Sequence, residues 1–194
     1  MKLLASLLTA LLVSANVFAQ ANWQLDKSHS NINFTVSHMV VSETSGKFKF
    51  FEGKVVAKSD DFVDSDIEFT IDASSINTDD EKRDAHLKSP DFFDVAKYPQ
   101  ITFKSKSFKK IDGKNYKLTG DLTMHGVTKE VTFDVIYNGM AKSPTGVTKA
   151  GFKVIGKINR TDFGLKWNKT LDNGGLLVGE EVSLVCNIEL DKKS

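Results

Sequence analysis

From residue 20 onward apolar side chains recur at every second position, and no segment keeps helical spacing for more than a few turns. A chain patterned this way must build strands that bury one face and wet the other. Ile32, Phe34 and Val36 alternate with Asn31, Asn33, Thr35 and Ser37, and Ile67, Phe69 and Ile71 alternate within 66–72. Further strands are expected at 101–108, along Tyr116, Leu118, Gly120, Leu122 and Met124, along Val131, Phe133 and Val135, and along Phe152, Val154 and Ile158. The last spans 182–190, with Val182, Leu184, Cys186, Ile188 and Leu190 in phase. Asp112-Gly113 and His125-Gly126 provide hairpin turns, and a looser connection holds Pro144 and Gly146. Phe48 and Phe50 mark one more strand, after which Phe51, Glu52 and Gly53 break phase as a bulge would.

The count is about eight strands joined by hairpins, in one domain over 20–194. Eight is the number at which an antiparallel up-and-down β-barrel can just hold a small ligand. A two-sheet sandwich would show the same alternation, and periodicity does not separate the two.

The exception to the strand pattern is 83–105, which opens in a helical turn, passes Ser89-Pro90 and ends in the strand of Ile101 and Phe103. Thr78 with Glu81 resembles a capping box, so a short helix is expected over 79–87, and Ser89 then caps a second turn. A lone helical crossing in an all-β chain has one simple task, covering an end of the sheet; this makes it a lid. In the long loop at 160–179, Asp162 is expected to cap backbone donors and Phe163 to plug the barrel end.

Several function classes are made improbable by composition. Lys2, the apolar run 3–17 and Ala19 before Gln20 read as a cleaved export signal over 1–19, which places the remainder in a periplasmic or secreted compartment. No second apolar run follows, so no stable membrane insertion is expected. The formal net charge is +1 with Lys2 included, leaving no basic field for nucleic acid. The single cysteine, Cys186, forms no intrachain disulfide and reads as a buried small hydrophobe. His29, His38, His86 and His125 lie on different elements without ligand spacing, so neither metal nor cofactor is expected. No serine sits in a nucleophile elbow and no carboxylate pair claims acid and base roles.

Phenylalanine carries the most information: 14 residues against Trp 2 and Tyr 3. A side chain with no polar handle suits a dry packed core or a tunnel for a ligand without hydrogen-bonding groups, and composition leaves both open.

Trp23, Leu25, Asp26, His29, Ser30, Ile32, Phe34, Val36, His38 and Met39 open a pattern that continues through Ile71, Asp72, Ser75 and Ile76. It goes on through Arg83, Asp84, His86, Leu87, Phe92, Phe93, Asp94, Tyr98, Pro99, Ile101 and Phe103, then Leu122, Thr123, Gly126 and Val127, and closes with Gly156, Ile158, Asn159, Arg160, Asp162, Phe163 and Gly164. Over nearly all of the chain after residue 20 this resembles the YceI-like, polyisoprenoid-binding family. The resemblance implies an exported, lipocalin-like antiparallel barrel with a long apolar pore for an isoprenoid or similar lipid, in many members a homodimer.

Under that resemblance the pore lining is expected to be Phe34, Val36, Phe48, Phe69, Ile101, Phe103, Leu122, Phe133, Phe152 and Ile158. At about 0.8 kcal/mol per buried methylene, a long tail would bind through its length alone. Arg83, Asp84 and His86, with Phe92 and Phe93, are expected at the lid, where the polar three either meet a ligand headgroup or form a structural network. The reading is a binding protein that sequesters or carries a long-chain polyisoprenoid or similar lipid, and not an enzyme. Its alternatives are a hydrolase or lyase at the barrel mouth using His86 with Asp84, and a packed sandwich serving only as an interaction module.

Overall fold

The structure is a computed structural model that describes residues 20–172 and 174–193. The expected export signal over 1–19 lies outside the described residues. The strands are β1 (Ala21–Leu25), β2 (Asn31–His38), β3 (Ser42–Phe48), β4 (Phe51–Ala57), β5 (Asp66–Asp72), β6 (Ile76–Asn77), β7 (Gln100–Asp112), β8 (Asn115–Met124), β9 (Val127–Lys142), β10 (Thr148–Asn159) and β11 (Val178–Lys192). Helix α1 spans Glu81–Lys88, and 3-10 turns occupy Ala73–Ser75 and Arg160–Phe163.

Every strand pairing is antiparallel, and the sheet closes where β1 meets β11, Leu25 opposite Leu190. Farther along, β11 pairs with β2, Cys186 opposite Ile32, so β1 and β2 are two halves of one barrel strand. β3 and β4 share the next position in the same way, as do β5 and β6. With β7 to β11 this makes an eight-stranded up-and-down barrel, and the sandwich alternative falls because a closed ladder leaves no second sheet.

The divided strands correct one expectation. Phe50 does not continue the strand of Phe48 into a bulge; the chain leaves β3 at Lys49–Phe50, and β4 starts a new ladder. Phe50 is 67% exposed while Phe51 is buried. The break is stitched to the neighbouring strand at the same level: Phe50 N donates to Ser75 Oγ at 3.1 Å, and Asp72 N donates to Phe50 O at 2.9 Å. Strand β1 also went unread, because five residues carry too short an alternation.

Among the described strands β6 pairs with β3 alone, over two residues, and β7 begins only at Gln100 opposite Asp72. Residues 78–99, including α1, cross this gap. The helix is capped by Asp80, whose carboxylate accepts from Arg83 N at 2.9 Å, and not by Thr78, whose hydroxyl is engaged with Asp84. Similarly Asn159, not Asp162, caps the 160–163 turn by accepting from Thr161 N at 2.9 Å; Phe163 is buried there but is not among the residues that line the barrel's cavity. Ser89 does organise the turn after α1, with Phe92 N donating to its carbonyl at 3.0 Å.

The two barrel ends are built differently. At the end holding the β7–β8 hairpin, residues 58–65 fold inward and bury Phe62 among Trp23, Tyr137 and Phe152 at ring separations of 5.0, 5.6 and 5.0 Å. Phe108 stacks on Tyr116 at 4.9 Å beside them, and Tyr116 Oη donates to Asp61 O at 2.9 Å, tying the plug to the wall. This end is a close-packed aromatic stopper. The opposite end carries α1 and the 160–177 loop.

Candidate functional site

Between stopper and lid lies a cavity of about 230 Å³ with no polar atom at its surface. Strand alternation puts its lining there: β2 contributes Ile32, Phe34 and Val36, β5 Ile67, Phe69 and Ile71, β7 Ile101 and Phe103, and β8 Leu118, Leu122 and Met124. Phe48 from β3, Phe133 from β9, and Phe152, Val154 and Ile158 from β10 complete the wall. All ten side chains expected from the sequence to face a pore do so. The rings form pairs along the wall, Phe34 with Phe48 at 5.8 Å and Phe103 with Phe133 at 5.9 Å.

Phe92 and Phe93 also line the cavity, from the turn after α1, and Leu87 joins them from the helix itself. Phe93 meets Phe48 edge-on at 5.9 Å. Arg83, Asp84 and His86 do not reach the cavity; they hold its lid. Asp84, 9% exposed, accepts from Thr78 N at 2.8 Å and Thr78 Oγ1 at 2.6 Å. Arg83 Nε donates to Thr78 Oγ1 at 2.8 Å and Arg83 Nη2 to Thr78 O at 2.9 Å. Thr78 is thus the pin on which the helix turns back to the barrel. His86 Nε2 lies 2.8 Å from Asp91 Oδ2, and its ring edge meets Trp167 at 4.7 Å and Phe92 at 5.1 Å. His86 and Asp84 bond to different partners, Asp91 and Thr78, so the His86–Asp84 pair on which the hydrolase or lyase alternative rests is not formed.

Sequence reasoning gave no role to three contributors, of which only Arg160 stands in the family pattern. Phe62 stands with Val63 inside the acidic run Ser59-Asp60-Asp61-Phe62-Val63-Asp64, and an apolar pair flanked by aspartates was its only signal. Trp167 sits in the long loop and latches α1 through His86 and Phe92, at 5.2 Å from the latter. Arg160, 4% exposed, fixes the same loop: its Nε donates to Gly179 O at 2.8 Å, Nη1 to Leu165 O and to Trp167 O at 3.0 Å, and Nη2 to Val178 O at 3.2 Å. Burial lowers its pKa from the ordinary arginine value.

Cys186 also lines the cavity, and burial pushes its thiol up to about 11. A second polar cluster lies outside, over the β1–β2 break. Asp26, His29 and Glu189 bring their ligand atoms within 4.8 Å of one another, a spacing open to a cation. The ammonium of Lys149 already stands there, 2.7 Å from Asp26, 2.8 Å from Glu189 and 2.7 Å from Asp191. Hydrogen bonds from Lys149, then Ser28 and His29, hold the Asp26 carboxyl well below the carboxylate range, and the bond to Asp26 raises His29.

Similarity to known proteins agrees with this architecture. A UPF0312 protein of Staphylococcus aureus (strain N315) is 40% identical over 169 residues, 87% of this chain and 96% of its own. The crystal structure of a Campylobacter jejuni YCEI protein superposes with a TM-score of 0.70 at 34% identity, covering 88% of this chain and 97% of that one. A polyisoprenoid binding domain from Saccharophagus degradans shares the fold at a TM-score of 0.66 and 15% identity, over 88% and 98% of the two chains. The family description YceI-like domain matches residues 23–190, and the chain belongs to that family.

Proposed function

We propose that this protein is an exported carrier that takes a long-chain polyisoprenoid or similar lipid into its barrel and shields it from water. The observation that carries the reading is the cavity: its surface is apolar throughout, it is stoppered at one end, and it is covered at the other by a helix pinned through side chains that stay outside it. An apolar tail loses no hydrogen bond on entering such a space and gains roughly 0.8 kcal/mol per methylene. The naming of a structurally similar domain as polyisoprenoid binding supports the same ligand class. Non-catalytic binding is favoured because the two titratable side chains that line the cavity are otherwise engaged: Arg160 donates to backbone carbonyls of the 160–179 segment, and the raised pKa of Cys186 keeps it an unreactive thiol. Export rests on the leader pattern of 1–19, and no helix among the described residues is long and apolar enough to cross a membrane. A homodimer belongs to the same proposal, and light scattering on the purified protein decides it.

Calorimetric titration of the delipidated protein with geranylgeraniol tests the carrier reading. Saturable uptake of one alcohol per barrel, recovered chemically unchanged, is the expected result. No uptake, or recovery of a converted product, contradicts it.

A further inference from the structure

Four of the lining phenylalanines lie on glycines. Phe34 stands directly opposite Gly46, and Phe69 opposite Gly53; Phe103 and Phe133 cover Gly120 and Gly156 on the adjoining strands. A methyl carbon placed on these glycines would come 2.3 Å from Phe34 Cζ at Gly46, 2.7 Å from Phe69 Cζ at Gly53, 2.5 Å from Phe103 Cζ at Gly120 and 2.2 Å from Phe133 Cδ1 at Gly156. Carbon atoms in contact rest roughly 3.5–4.0 Å apart, so each ring occupies space that any other residue would fill with its own Cβ.

Backbone conformation does not explain these glycines. Gly113, Gly126, Gly139, Gly146, Gly164 and Gly174 have positive φ, whereas Gly46, Gly53, Gly120 and Gly156 are not in that region and sit within strands, where glycine weakens the sheet. What they supply is room. Their neighbours two residues away, Phe48, Val55, Leu118, Leu122, Val154 and Ile158, face the lumen, so the glycines do too. A ring laid over such a glycine lies against the wall and not across the bore. The pairs recur on β2–β3, β4–β5, β7–β8 and β9–β10, spaced around the barrel.

We infer that these four phenylalanine–glycine pairs set the bore of the lumen, and that Gly46, Gly53, Gly120 and Gly156 are specificity-determining positions that keep it wide enough for a methyl-branched apolar chain. The inference rests on the carrier reading and deepens it. It assigns selectivity to residues that touch the ligand only through the rings they seat. An unbranched chain is slimmer and depends on them less.

Gly53→Ala and Gly156→Ala test this, because at both positions the nearest obstructing atoms all belong to the facing ring, whereas at Gly120 the carbonyl of Lys104 stands 2.4 Å from the added carbon. Geranylgeraniol and 1-hexadecanol serve as the branched and unbranched probes. Each variant is expected to bind geranylgeraniol roughly tenfold more weakly and to lose no more than about threefold for hexadecanol. Gly53→Ala/Phe69→Ala, which removes the displaced ring, is expected to recover the branched probe. Equal losses for both probes, or none, overturn the inference. A crystal structure of Gly53→Ala decides the matter independently of any ligand: the Phe69 ring moved toward the barrel axis with a smaller cavity supports it, and an unchanged cavity overturns it. Should the unaltered protein take up neither alcohol, the carrier reading fails and the crystal structure alone decides the bore.

Discussion

The two ends of the barrel use the same residue type for opposite purposes. At the stopper, Phe62 and Phe108 are nearly inaccessible, packed on Trp23, Tyr137, Tyr116 and Phe152, and the Tyr116–Asp61 bond ties the plug down. Toward the lid, Phe34, Phe69 and Phe103 are half-buried, with one face on the wall and the other on the cavity. Phenylalanine content therefore says little by itself; what differs is the seat. Where a segment folds inward to supply a further ring, the lumen closes, and where a strand supplies a glycine, it stays open. The polar residues divide likewise. Those at the lid hold a short helix by a few bonds through Thr78, a connection weaker than a packed core and suited to opening.

The sharpest contrast comes from truncating one ring at each end. Phe62→Ala is expected to cost about 3–5 kcal/mol, because the stopper cannot collapse around the void. Phe69→Ala, whose ring already borders open space, is expected to cost about 1–2 kcal/mol. Denaturant unfolding of both variants measures the difference, and equal losses would erase the distinction between the ends.

A smaller effect is expected at the lid anchor. Asp84→Ala leaves Thr78 N–H and its hydroxyl without their buried acceptor, a loss of about 2 kcal/mol. Hydrogen exchange should show protection falling over 79–99 while the strands β8 to β10 keep theirs; uniform loss would mean that the lid and barrel unfold together.

The Lys149 cluster belongs to neither end, and it supplies a pH signature. Asp26 titrates below its ordinary 3.8 when folded, so its contribution is present above about 3.8 and is lost as pH falls from there toward the folded value. His29 is raised, so its contribution is present below its ordinary 6.5 and is lost as pH rises through the folded value. Lys149→Met is expected to cost about 1–2 kcal/mol at neutral pH and to flatten the acid limb of the melting-temperature profile. An unchanged acid limb would place the sensitivity elsewhere.

Cys186 gives the mildest readout. With its thiol at about 11, roughly one molecule in a thousand is thiolate at pH 8, and a charged thiol reagent is expected to label it slowly. Asp84→Ala should speed labelling severalfold by loosening the cover, and bound geranylgeraniol should slow it. Rapid labelling of the unaltered protein would mean that the lid does not seal.

Period-2 alternation made the closed sheet legible, because a strand with one buried face declares that face residue by residue; the ten lumen positions followed from it together with the family resemblance. What alternation could not show was interruption. The breaks at 26–30 and 49–50 divide barrel strands without changing which residues are apolar, so alternation does not mark β1 and runs Phe50 on into the strand of Phe48. The caps were misplaced for a related reason: Thr78 and Asp162 have suitable side chains, yet Thr78 is taken by Asp84 and the 160–163 turn by Asn159, and such competition is settled only in three dimensions. Phe62 and Trp167 lie in loops, where no periodicity announces burial.

Native mass spectrometry of the purified protein, followed by denaturing extraction, tests the central claim most directly. The expected result is one long-chain isoprenoid or similar lipid per barrel, released intact on unfolding. A barrel that carries nothing and, when offered polyprenols, still takes up nothing would contradict it and return the phenylalanine-lined interior to the role of a packed core.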